Sequence, residues 1–213
     1  MTEPTPPVPS ALMKSEIPVV LASASQARRA MLENAGVAVI AQPAAVDEEE
    51  IKHSFAAAGF KAEEAAEALA ELKATRVASR LPGVLVLGAD QMLDHDGSWF
   101  DKPADRAEAK RHLQALRGGK HRLVSSVVAV MNGQRQWHHT DSATLTMRQF
   151  SDDFIDRYLD EMGDAVLTSV GAYQLEGLGS QLFNRIEGDY FTILGMPLLP
   201  VLDYLRQRRI LVS

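Results

Sequence analysis

The stretch Val84–Asp94, VLVLGADQMLD, constrains the fold of this chain more than any other. It opens with four consecutive apolar residues, Val84 to Leu87, half of them β-branched and preceded by Pro82-Gly83. Such a run reads as a buried central strand. It then meets Gly88-Ala89, which carry almost no side chain, and at once an acid and an amide, Asp90 and Gln91. A carboxylate on a buried strand is costly unless it is paired, hydrogen-bonded or bound to a metal. The small residues beside it leave room for something to approach the backbone. Asp90 alone does not decide between an acid that caps a neighbouring turn and an acid that serves a site.

The rest of the chain narrows the choice. With 213 residues, 46% of them apolar, it can bury the core of an α/β domain. The formal net charge of -6 argues against non-specific binding to nucleic acid or acidic membranes. There is no cysteine, which removes disulfides, cysteine metal sites and a cysteine nucleophile. No apolar run approaches the ~18 residues that span a bilayer. Residues 1–16, with Pro4, Pro6, Pro7 and Pro9 and no apolar h-region, read as a disordered leader. Residues 17–213 read as one domain, and the expected location is the cytoplasm.

Ile17–Ala22 reads as a short buried strand that runs through Ser23-Ala24-Ser25 into a helix over Gln26–Ala35, capped by Ser25 and stopped by Gly36. A strand, a hydroxyl-rich turn and a helix N-terminus together suit an anion. Arg28 and Arg29 in the first turn make more sense with an anion above them, although an ordinary capped helix with solvated arginines has the same pattern. Val37–Ile40 suggests a second strand. The acids Asp47-Glu48-Glu49-Glu50 read as a solvated loop, at least one of which can face a cleft and help hold a divalent metal. An alanine-rich helix is expected over Glu63–Ser79 with Leu69, Leu72, Arg76 and Val77 as its inner stripe. Lys73 lies four residues from both Leu69 and Val77, inside that stripe. It either snorkels outward or has an anionic partner. If it serves phosphate, Lys73→Met should preserve or raise stability by removing a desolvated charge.

Beyond Asp90, Asp94-His95-Asp96-Gly97 signals a turn, and Trp99-Phe100 an extended segment closed by Asp101-Lys102-Pro103, where the proline stiffens Lys102. A helix over Ala104–Leu116 and strands over Arg122–Met131 and Gln136–Met147 follow, with Asn132-Gly133 as the hairpin signal. A helix over Asp152–Met162 comes next. Gly171–Gly188 reads as an irregular loop over a site, Asp189–Leu194 as a strand and Leu198–Arg209 as an amphipathic helix. The order is that of an α/β sheet with an added antiparallel hairpin.

With these residues placed, the chain resembles the Maf family of nucleoside triphosphate pyrophosphatases from about Val19 to Arg206. The resemblance rests on five blocks in the family's order: LASASQARRAML, VDE, GADQ, DKP, and GAYQLEG with IEGDYFTILGMPL after it. It implies a Maf/inosine-triphosphatase-like α/β fold, an elongated mixed sheet flanked by helices with a central cleft. It implies hydrolysis of a nucleoside triphosphate to the monophosphate and pyrophosphate with Mg²⁺ or Mn²⁺, and a homodimer. Asp90 matches the family's catalytic acid, and Glu48, Lys73 and Lys102 its other cleft residues. Ser23, Ser25 and Arg28 match its phosphate-side motif. Glu48 and Asp90 are the expected metal ligands.

Three positions depart from the dTTP/UTP-specific members, and two of them, Gln91 and Glu176, resemble the 7-methyl-GTP subfamily. Ala27 replaces an arginine, Gln91 a threonine and Glu176 a glutamine. A carboxylate suits the two donors of a guanine edge, whereas uracil and thymine offer one donor between two acceptors. A dTTP/UTP pyrophosphatase, a non-catalytic nucleotide-binding regulator of cell division and a metal-dependent phosphatase are the other readings.

Overall fold

The computed structural model describes residues 10–15 and 18–213. Strand β1 (Val19–Leu21) leads through the serine turn into helix α1 (Gln26–Asn34), and Ser25 caps it by accepting a bond from the Arg28 amide. Strand β2 (Val39–Ala41) lies parallel to β1. The long strand β3 (Val86–His95) is central, parallel to β1 on one edge and antiparallel to β5 (Lys120–Met131) on the other. The short β4 (Ser98–Phe100) folds back on the end of β3. Strand β6 (Gln134–Met147) pairs with β5 through the Asn132-Gly133 turn, where both residues have positive φ, 52° and 72°. The edge strand β7 (Phe183–Glu187) closes the order β2-β1-β3-β5-β6-β7.

Alternation along β3 divides its side chains between two layers. Leu85, Leu87 and Ala89 pack with α1 and with α7 (Leu198–Gln207). Val86 and Met92 face α3 (Ala62–Ala78). A third group of apolar residues gathers α4 (Arg106–Leu116) and α5 (Asp152–Met162) around Leu93, Leu123 and Leu145. No helix among the described residues is long and apolar enough to cross a membrane.

Four expectations change. Residues 10–15 of the expected leader are tied down: Ser10 Oγ donates to the Gly36 carbonyl and Met13 bridges Leu211, where apolar cover is available. The rest of the leader, residues 1–9 and 16, lies outside the described residues, as does Ile17. The acidic loop is instead the start of helix α2 (Glu48–Ala57), capped by Asp47, with its acids in the first turn where they suit the helix dipole. Asp189–Leu194 is not a strand; Asp189 caps the short helix α6 (Tyr190–Ile193). On α3, Leu72 and Arg76 are exposed, and the inner face is built on Ala65, Ala66, Leu69, Ala70, Lys73, Ala74 and Val77.

The small residues at Gly88 serve a helix, not a ligand. A Cβ there would overlap the Ala70 carbonyl oxygen and stand 2.7 Å from the Ala74 nitrogen. The alanine face of α3 and this glycine together let helix and strand backbones approach closely. Gly88→Ala should therefore destabilise by about 3 kcal/mol, the upper end for overpacking, because backbone rather than a flexible side chain must move. Equilibrium urea unfolding measures this, and a loss under about 1 kcal/mol would contradict the packing argument.

Candidate active site

β3 is paired on both edges only at its ends. Its β1 partners reach Leu87, and its β4 partners begin at Leu93. Between them the edge from Gly88 to Met92 has β5 on one side and no strand on the other. A cleft of about 1270 Å³ opens at this gap. Asp90 and Gln91 point to opposite faces of the sheet, yet both reach the cleft because the sheet stops there.

Arg28 fills part of the gap. Its Nη1 donates to the free Ala89 carbonyl (2.9 Å) and to Ser23 Oγ (3.2 Å), and its Nε to the Gly195 carbonyl (2.7 Å). The Nη2 donors have no acceptor among the described residues. Ser23 Oγ and Ser25 Oγ each accept bonds inside the turn, and each keeps an O–H to donate. The Gln26 and Ala27 amides, at the first two helical positions, have no side-chain cap. Both residues line the cleft.

α3 brings Lys73 to the other side. Its Nζ lies 2.6 Å from Asp90 Oδ1 and 2.8 Å from Glu48. Lys73 and Asp90 are 5% and 3% exposed, so the inward lysine has the anionic partner that its position demands. Asp90 Oδ2 is buried with no hydrogen-bond partner among the described residues. Burial pushes Glu48 upward, but Lys73, Lys52 and Arg28 outweigh it and hold the carboxylate below its usual range.

Lys102 is exposed and lines the cleft. Burial, then Arg28, draws it below the ordinary lysine range despite Glu48. It has no ion pair among the described residues. The 3-10 turns Val170–Ala172 and Leu178–Leu182 carry the late loop, where Glu176 lines the cleft, exposed and without a partner among the described residues. The carboxylate expected to meet a guanine edge is thus solvent-exposed and not buried. Tyr173 lines the floor, and its hydroxyl meets His121 Nε2 at 2.7 Å. Burial holds that histidine down to about 4, so it is neutral at pH 7.

All ten residues expected from the sequence thus line one cleft. Sequence reasoning missed Lys52 and Asp101, whose side chains meet there at 2.5 Å. Burial pulls Lys52 down, but Asp90, Asp101 and Glu48 raise it above the ordinary lysine value. The available signal was the four-residue spacing from Glu48 to Lys52, which has meaning only on a helix.

The pairing reverses the expectation for Lys73→Met. Removing the ammonium leaves Asp90 buried and unpaired, which costs about 3 kcal/mol or more. Lys73→Met should lower the urea midpoint accordingly, and Lys73→Met/Asp90→Leu should recover most of the loss. A single variant as stable as wild type would contradict the pairing.

Residues 18–208 match the family of Maf-like proteins. A nucleoside triphosphate pyrophosphatase of Paramagnetospirillum magneticum is 62% identical, over 91% of this chain and 100% of that protein. One of Granulibacter bethesdensis is 54% identical, over 91% and 98%. A 7-methyl-GTP pyrophosphatase of Rhizobium meliloti is 50% identical, over 89% and 95%. With a match across nearly all of the described residues, the chain belongs to the Maf family.

Proposed function

We propose that this chain hydrolyses a nucleoside triphosphate between its α- and β-phosphates, releasing the monophosphate and pyrophosphate, and that it prefers a guanine-type base such as that of 7-methyl-GTP. The observation that carries the reaction is the divided state of Asp90. Lys73 pins one carboxylate oxygen, while the other is buried and unpartnered. In that reading Oδ2 takes the proton of a water that attacks the α-phosphorus. The P–O bond opposite the attack breaks, and pyrophosphate leaves with the electron pair. Lys73, Lys102 and the free Nη2 of Arg28 face the charge that develops on the phosphates.

The donor set supports a hard, oxygen-preferring cation such as Mg²⁺ or Mn²⁺. No group of three metal-ligating side chains occurs among the described residues. Glu48 and Asp90 would therefore hold the ion together with oxygens of the substrate, with the second lone pair of Asp90 Oδ2 left for the attacking water. When bound, the cation would supply neutralisation of the phosphate charge.

The base preference rests on two acceptors. Gln91 Nε2 donates towards Ser125 Oγ, the Thr192 carbonyl and the Ile193 carbonyl at 3.0–3.1 Å. Flipping the amide would set its oxygen against two carbonyls, so the nitrogen is fixed there and Oε1 is left as an acceptor. Glu176 adds a carboxylate with no donor among the described residues. Together they suit the N1–H and N2–H₂ donors of guanine, and a pyrimidine edge would leave acceptors opposed.

Asp90→Asn should reduce turnover by about 10²–10⁴-fold, the usual contribution of a general base. An assay that separates pyrophosphate from orthophosphate follows it. Orthophosphate release by wild type would point to a phosphatase, and nucleotide binding without turnover to a regulator.

For the base, kcat/KM for 7-methyl-GTP should exceed that for UTP, and Glu176→Gln should narrow the ratio, because an amide both donates and accepts. A wild-type ratio below one would overturn the guanine reading and leave the pyrophosphatase reading intact.

A further inference from the structure

Helix α2 has an inverted burial pattern. Of its ten residues only Lys52 is buried, although Ile51 and Phe55 lie partly covered against Leu69 and Met92. An amphipathic helix normally buries apolar residues and leaves its lysines in water. Lys52 is 8% exposed, lines the cleft, and shares its face of the helix with Glu48 four residues before it.

An ammonium carries three N–H donors. For Lys52 one of them reaches Asp101 Oδ1, and no other acceptor is within hydrogen-bond distance among the described residues. Two donors of a buried cation are therefore unmatched, in the wall of a cleft. Asp101 is itself 44% exposed and only partly offsets the cost of that burial. Arg28, Lys73 and Lys102 share the cleft with Lys52, but so do Glu48, Glu49, Asp90, Asp101, Glu108 and Glu176, so it is the unmatched donors of Lys52, and not the net charge of the lining, that favour an anion there.

The position of Lys52 within this cluster is distinct. Lys73 is bonded to Asp90, the carboxylate on the side of attack. Lys52 is bonded instead to Asp101, the residue before Lys102. In an in-line displacement the leaving group departs opposite the nucleophile. A cation bonded to Asp101 and not to Asp90 keeps its remaining donors for the phosphates that depart, and Lys52 has two of them.

We propose that Lys52 is a further substrate-binding residue, which donates to the terminal phosphates of the triphosphate and holds the pyrophosphate leaving group. This rests on the pyrophosphatase reading above and adds to it a cation supplied by α2. Asp101 acts as its positioning residue, keeping the long side chain in the cleft before substrate arrives.

The test uses the full chain with Mg²⁺ and the two products as separate inhibitors. Lys52→Met should lower kcat/KM for the triphosphate by about 10- to 100-fold, in line with the loss of one charged donor. The inhibition constant of pyrophosphate should rise about tenfold or more, and that of the nucleoside monophosphate should stay within about twofold. Lys52→Arg should restore part of the pyrophosphate affinity. Equal pyrophosphate inhibition of wild type and Lys52→Met would overturn the proposal, as would a parallel rise in both constants, which marks a structural tether for α2. Asp101→Asn provides a control that keeps the ammonium. Its pyrophosphate constant should lie nearer to wild type than that of Lys52→Met, and equal damage would again favour the tether. If wild type releases no pyrophosphate, the parent reading falls; if it does and Lys52→Met behaves like wild type, this inference alone falls.

Discussion

The buried pair between Lys73 and Asp90 is the interaction on which the remainder of the molecule depends. Two opposite charges in a protein interior gain from each other only when their geometry is good, because desolvation opposes them. Their 2.6 Å separation requires α3 to lie close to β3. The side chains that could hold the helix away are missing on both sides: Ala70 and Ala74 on the helix, Gly88 on the strand. Larger residues there would lift α3 from the sheet and carry the Lys73 ammonium away from its carboxylate. The alanine richness of this helix is thus a condition of the ion pair, and propensity is secondary to it.

The second constraint is the gap in the sheet. A strand edge with no neighbour exposes N–H and C=O groups that pairing would otherwise satisfy. Here Arg28 answers one of them at the Ala89 carbonyl. The same gap lets a ligand approach from the strand edge, where side chains of both faces are accessible. That is how an acid and an amide adjacent in sequence, Asp90 and Gln91, can serve one cleft despite the alternation of the strand. The acid meets α3, and the amide is locked by Ser125 and the carbonyls of α6.

What the sequence revealed follows from how local each signal is. The strand at Val86, the cap at Ser25 and the turn at Asn132-Gly133 are encoded by neighbours within a few residues, and all three appear where expected. Strand β7 was hidden because its side chains are mostly exposed, so it has no apolar alternation, and its partner Thr144–Met147 is far away in sequence. Helix α2 was hidden for a related reason. With Lys52 as its buried residue it has no apolar stripe, and its capping acids read as a solvated run. At α6, the aromatic and β-branched residues of YFTI favour a strand by composition, but the Asp189 cap decides for a helix. Among the site residues, the grouping of Asp90, Glu48, Lys73 and Lys102 was carried by the resemblance. Which donors of Gln91 and Arg28 are already occupied depends on tertiary contacts, and no local pattern encodes it.

That distinction between occupied and free donors gives the cleft its chemical character. Lys73 is held by two carboxylates, Lys52 by one, and Arg28 by two carbonyls and a hydroxyl. Each cation is fixed by acceptors of the protein, and each keeps at least one N–H with no acceptor among the described residues. Long basic side chains lose considerable rotamer freedom when a ligand first orders them. Here much of that ordering is done by the fold itself, through α2, α3 and the serine turn. The donors left over are the ones an anion can use, and they are directed before it arrives. Preorganised charge of this kind acts most strongly where the transition state gains negative charge. The carboxylates of the cleft thus have a second effect beside any chemistry proposed at Asp90: they hold the cations in place before any anion binds.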